Sequence, residues 1–229
     1  MSSPVSNTVL GRSRIDADRL LGLVLLAHFP IALMLATLHG AWITAFAFAL
    51  PISVGAFWLS RSAAGSSLTR VAIGVGFMAY SAVFIHQAHG MIEAHFHVFA
   101  SLAFLLVYRD WRVIVVAAIT IAVHHVGFHI LQTIGVGVFL LNHTVGGHAI
   151  VVVHALFVVF ESAILVWMSL QLHREATTTQ GVFEALEALG EGRVDHEPAG
   201  DGVGAAVRAV IAAVRSLDHG AAELGRAVQ

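Results

Sequence analysis

The sequence predicts an all-α membrane protein, a six-helix transmembrane bundle followed by a cytoplasmic helical linker. Three observations carry this. First, 58% of the 229 residues are hydrophobic and only 11% are charged, which is too apolar for an ordinary soluble domain. Second, charge is confined to a few places. Between Arg19 and Arg174 the only acids are Glu93, Asp110 and Glu161, and the only bases are Arg61, Arg70, Arg109 and Arg112. That is the pattern of membrane spans joined by short loops. Third, the composition turns polar after residue 172, with apolar residues recurring at helical spacing. The chain has no cysteine, so disulfides and thiolate metal sites are excluded. A formal net charge of −2 gives no reason to expect a nucleic-acid partner.

Residues 1–18 read as a cytoplasmic N-terminal segment. The opening MSSPVSNTVLGRSR is polar and lacks a cleavage-site pattern, so no removable signal peptide is expected. Residues 19–172 then form the membrane domain, with apolar segments at 19–39, 41–60, 70–89, 91–108, 112–132 and 150–172. Pro30 and Pro51 are expected to kink the first two, since proline removes a backbone donor and crowds the preceding turn. The Gly-rich stretch TIGVGVFLLNHTVGGHA, 133–149, reads as an outer loop or a re-entrant segment.

Arginine sets the orientation, because the chain has no lysine. Arg12, Arg14 and Arg19 precede the first segment, and Arg61 and Arg70 separate the second from the third. Arg109 and Arg112 separate the fourth from the fifth, and Arg174 follows the sixth. The other three junctions carry none. The positive-inside rule then places both termini in the cytoplasm, as in a multi-pass protein of the bacterial inner membrane.

Residues 173–229 read as two short amphipathic helices. Phe183, Leu186 and Leu189 mark one, and Val207, Ile211, Val214 and Leu217 mark the other, with GEGRVDHEPAGDG between them. This order resembles a HAMP linker, the coiled-coil relay of bacterial transmembrane receptors. LGEGRVD resembles the end of its first helix. Asp201-Gly202-Val203-Gly204 resembles the D-x-x-G start of its second, without the usual acidic second residue. The resemblance implies a homodimer through these helices and a cytoplasmic output module that the sequence in hand does not contain.

The bilayer segments hold many ionisable groups. Counted at about 1.5 Å per residue from the nearest arginine, His86, Glu93, His95, His97, His124, His125 and Glu161 fall roughly 18–24 Å from the cytoplasmic edge. Four segments thus bring His or Glu to one layer of the outer half. His39, His89, His129, His143, His148 and His154 fall nearer the outer surface, and His28 is alone and deeper. Each such group costs a few kcal/mol to insert. Neutral imidazoles offer one donor and one acceptor each and cannot all satisfy one another. A bound cation resolves this, because each ring can give it a lone pair. Glu93 and His97 are four residues apart, as are His125 and His129, so each pair shares a helical face. The expected metal ligands are His86, Glu93, His95, His97, His124, His125, His143 and His154. His129, Glu161, His89 and Asn142 are secondary candidates. His28, beside Pro30, is expected to bond a freed carbonyl rather than a metal.

Together, His86, Glu93, His95, His97, Tyr108-Arg109-Asp110-Trp111, His124, His125, Asn142, His143 and His154 resemble the His-rich polytopic input region found before chemoreceptor, diguanylate cyclase and histidine kinase modules in bacterial signalling proteins. The likeness covers about residues 70–170. With the HAMP-like tail, it implies a sensor of the methyl-accepting chemotaxis type rather than an enzyme. The leading expectation is a transition-metal sensor, with copper ahead of zinc and iron in a thiolate-free site. A b-type haem sensor of oxygen, nitric oxide or redox state is the second reading, with His97 and His125 as axial candidates. A membrane di-iron oxidase is the third, and a metal-free proton sensor the fourth.

Overall fold

A computed structural model of the chain describes residues 8–141, 147–191 and 205–227. Within them every regular element is helical. The helices are α1 (Val9–His39), α2 (Trp42–Ser62), α3 (Ser67–Gln87), α4 (Ile92–Tyr108), α5 (Trp111–Thr133), α6 (Gly147–Gly190) and α7 (Ala205–Ala227). Five of them, α1, α2, α3, α5 and α6, are long and apolar enough to cross a membrane. The chain is therefore a multi-pass membrane protein.

The fourth segment departs from the sequence expectation. Among the described residues it is a shorter apolar helix, α-helical over Ile92–Phe104 and tightened to a 3-10 turn over Leu105–Tyr108. Left-handed residues stand at both ends, His89 and Gly90 before it and Arg109 after it. Such residues terminate helices, and they set its length at about 27 Å, just short of the hydrocarbon thickness.

Pro30 lies inside α1, which is helical from end to end. Pro51 is accommodated differently. The turn before it, Ala45–Ala49, widens to π-helical geometry. A π turn relieves the clash between the proline ring and the carbonyl four residues back.

The membrane unit comprises residues 11–170 of the described chain. Its core is built around α3, the most enclosed of the five long helices. Leu25 from α1, Phe77 and Tyr80 from α3, Leu102 from α4 and Ile114 and Ile121 from α5 are fully buried there. Large apolar side chains such as Phe46, Trp58, Ile119, Phe157 and Trp167 remain outside, as a hydrocarbon-facing surface requires. The second unit, residues 171–227 with 8–10, contains the end of α6 and all of α7. The expected break between the last span and the first linker helix, near 172, is absent, because α6 runs unbroken through it. Asp201 to Gly204, the HAMP-like start, lie outside the described residues.

Two polar assemblies lock the ends of the membrane unit. At the arginine end, Asp110 caps α5 by accepting from the Arg112 N–H at 3.3 Å. It also pairs with Arg70 of α3 at 3.3 Å and Arg14 of α1 at 3.9 Å. Arg14 further donates to the Tyr108 and Arg109 carbonyls, and the fully buried Asp18 accepts from the Gly65 N–H. At the opposite end, residues 138–141 fold inward, so that Leu140 is fully buried. Gln132 accepts from the Leu140 and Leu141 N–H groups and donates to the Leu141 carbonyl at 2.7 Å.

Gly90 is what allows this inward fold. Its φ is +74°, and a Cβ there would lie 2.6–2.8 Å from the Leu141 backbone. Gly90→Ala should lower the stability of the detergent-solubilised protein by roughly 1–3 kcal/mol. Protease sensitivity should rise in 134–141. An alanine variant that melts like the parent would remove the close approach from the account.

Candidate functional site

The site is best built from the tautomers that the backbone imposes. In a helix, the Nδ1 of a histidine can reach the carbonyl four residues back. His95 does so to Met91 at 3.1 Å, His125 to Ile121 at 3.0 Å and His154 to Ile150 at 2.8 Å. A carbonyl only accepts, so each Nδ1 carries the proton and each neutral ring keeps its Nε2 lone pair. Three helices, α4, α5 and α6, thus supply three imidazoles of the same tautomer.

The rings are also neighbours. The His95 ring centre lies 5.5 Å from that of His125 and 5.3 Å from that of His154. Imidazole nitrogens at about 2.0–2.1 Å from one ion, at tetrahedral angles, put ring centres about 5 Å apart. The spacing matches a shared ion, but the set is not closed. Among the described residues no group of three or more His, Asp or Glu side chains stands in metal-holding geometry.

His95 is 2% exposed, and its Nε2 is buried without a hydrogen-bond partner. A buried acceptor with no donor lacks what a cation or a proton donor would supply. Below the imidazoles lies a cleft of about 430 Å³ between α4, α5 and α6. Its walls are Val, Ala, Ile and Phe apart from the three histidines and Ser162, whose hydroxyl is also buried and unpartnered.

The structure distributes the other expected ligands differently. His97 faces away from this set. Its Nε2 lies 2.9 Å from the His28 Nε2, and its Nδ1 lies 2.8 Å from the Ser81 hydroxyl. His28 gives its own Nδ1 proton to the Val24 carbonyl at 2.6 Å, so its Nε2 accepts and His97 donates. Both His97 nitrogens are therefore used. The expected solitary His28 is corrected, because it is half of a buried histidine pair. Its carbonyl partner is the ordinary one four residues back, not the one freed by Pro30. The axial pair expected for haem is also divided, with His97 bonded to His28 and His125 beside His95.

Glu93 is exposed in the first turn of α4 and does not join the cluster. Its expected face-sharing with His97 brings it no closer, because His97 is turned into the core. His86 accepts the Phe139 N–H on Nδ1 at 3.2 Å, so its neutral ring presents a proton, not a lone pair, at Nε2. It anchors the inward segment. His124 stands next to the set, with its ring centre 5.4 Å from that of His125 and its Nε2 buried and unpartnered. His129 sits one turn beyond His125, half-buried. His89 is exposed and lies between the rings of His39 and Phe139, at 3.8 and 4.0 Å. Glu161, with one buried unpartnered carboxylate oxygen, lies on α6 about 10 Å along the helix from His154. Asn142 and His143 fall outside the described residues, and nothing is described of the His148 side chain.

Sequence reasoning missed Ser81, Ser101 and Gln132. Ser81 and Ser101 both stand against His97 Nδ1, at 2.8 and 3.3 Å. A serine within a membrane helix gives no signal of its own, because it usually bonds its own backbone. Compared with protein-family models, curated proteins and solved structures, the chain shows no match to any.

Proposed function

We propose that the chain is the membrane-embedded sensory input module of a bacterial chemoreceptor-like signal transducer, and that it binds a transition metal ion. Copper is favoured over zinc and iron. The observation that carries this is the common tautomer of His95, His125 and His154. Three neighbouring rings from three helices have Nδ1 tied to a carbonyl and Nε2 left as a lone pair. Histidines that ligate metals are held in this way, with the second nitrogen bonded to fix the ring. His124 is the adjacent reserve ligand.

An ion would close the set by drawing α5 and α6 onto α4. It favours that arrangement only by binding it better than the open one. In this reading α4 also crosses, making six spans, and both termini are cytoplasmic, as the arginine junctions imply. Movement of α6 then passes into the HAMP-like helices, which would pair in a homodimer and drive a cytoplasmic output module.

The test is metal analysis together with a visible spectrum on protein purified in detergent. One equivalent of copper, zinc or iron per chain, with no Soret band, is the expected result. A Soret band would replace the metal site with haem. No metal after reconstitution with each ion in turn would remove the proposal.

A further inference from the structure

We infer that the cleft below the three imidazoles is a binding site for a neutral, lipid-soluble molecule with a hydroxyl head, of the phenol or hydroquinol class. The inference goes beyond the metal reading and does not depend on it. It stands on the cleft and on the buried acceptor at its polar end.

The walls select an apolar body. Apart from His95, His125, His154 and Ser162, every residue lining the space is a hydrocarbon or aromatic side chain. About 430 Å³ lies within the usual range for small-molecule sites. It accommodates a substituted ring and the first part of a tail. Val126, Val159 and Ile119 line the cleft and are also largely exposed, so the space opens on the apolar surface of the bundle. A ligand dissolved in hydrocarbon reaches it without crossing water.

The polar end selects the head group. With Nδ1 committed to carbonyls, the three rings can only accept at Nε2. An O–H group meets that need, whereas an ether, ketone or quinone oxygen brings a further acceptor and leaves His95 Nε2 unsatisfied. A site built to bond a hydroxyl discriminates strongly against the analogue that lacks it. An anionic head is disfavoured, because the lining offers it no cation or backbone donor.

The test uses 4-octylphenol and 4-octylanisole, which share a body and differ in O–H against O–CH3. Binding is measured by calorimetry on chelator-stripped protein in detergent. The phenol should bind at least tenfold more tightly than the anisole. His95→Phe should abolish that preference, and Ala122→Phe, which fills the cleft, should abolish binding of both. If either variant does not fold, the other still decides. Phenol without the octyl chain separates the sources: weaker binding than octylphenol indicates a membrane-borne ligand, and equal binding a freely diffusing aromatic alcohol. Equal affinity for octylphenol and octylanisole, or no binding of either, overturns the inference. Zinc titration of the stripped protein reports on the metal reading separately. Zinc should displace octylphenol, since both use His95 Nε2. Zinc binding without phenol binding sinks this inference alone, and phenol binding without zinc binding sinks the metal reading alone.

Discussion

His95→Ala should lower metal affinity by roughly 100-fold or more and leave membrane insertion intact. Losing only the hydrogen-bond partner behind a ligating histidine costs about 10–100-fold, and this change removes a ligand outright. His95 is the ring that neighbours both His125 and His154, so its loss leaves the other two without their common partner. His125→Ala and His154→Ala should act in the same direction. The controls come from residues that the structure assigns elsewhere. His28→Ala disrupts the pair with His97 but should bind metal like the parent. Glu93→Gln, at an exposed position, should do the same. Equilibrium titration of each purified variant against a competing chelator measures the effect. If His95→Ala binds as the parent does, the ion is not held here; if Glu93→Gln also weakens binding, the carboxylate belongs to the site as the sequence suggested.

Asp110→Ala should be the most destabilising single change at the arginine end, by about 3 kcal/mol. Asp110 faces both Arg70 and Arg14, and all three side chains are largely buried. Removing the carboxylate leaves two guanidinium groups close together without their shared anion. Truncating one partner of a buried pair typically costs 3–5 kcal/mol, and 16% exposure of Asp110 and Arg14 places the effect at the low end. The N-cap of α5 is lost in the same step, adding about 1 kcal/mol or less. Thermal unfolding in detergent should shift down by on the order of 10 °C. In the double variant Asp110→Ala with Arg70→Ala the losses should be clearly less than additive. Additive losses would mean that the two residues stabilise the bundle independently. Metal binding by the folded fraction should be unchanged, because this cluster and the imidazoles lie at opposite ends of α5.

Much of the fold was legible because hydropathy is a sum over long segments. Twenty apolar residues in a row mark a helix whatever their partners are, and α2, α3 and α5 lie within three residues of the expected bounds, whereas α1 begins ten residues earlier than expected and α6 runs 18 residues further. The fourth segment was not resolved in this way. Its apolar run looked like the others, but its limits are set by left-handed turns at Gly90 and Arg109, and turn geometry leaves little trace in hydropathy. The unbroken course of α6 through residue 172 was hidden for the opposite reason. Composition changes there, but backbone conformation does not.

The polar layer shows the same division at the level of single side chains. Rise per residue brought His95 and His125 to a common depth, where they are neighbours, but it set His154 nearer the surface and His28 alone, although His154 meets His95 and His28 meets His97. Depth does not determine direction. His95 and His97 differ by two positions, about 200° around the helix. One meets His125 and His154, and the other meets His28 and Ser81. Glu93 shares a helical face with His97 in projection, yet it stands exposed at the helix start.

By itself the sequence determined that this is an all-helical, multi-pass membrane chain with many imidazoles in its apolar segments. Those properties depend on composition and on the fixed geometry of the helix. Only the tertiary structure decided which nitrogen of each ring is left with a lone pair. That depends on what stands in hydrogen-bond reach of each ring: a carbonyl for His95, His125 and His154, a backbone N–H for His86, and another imidazole for His97.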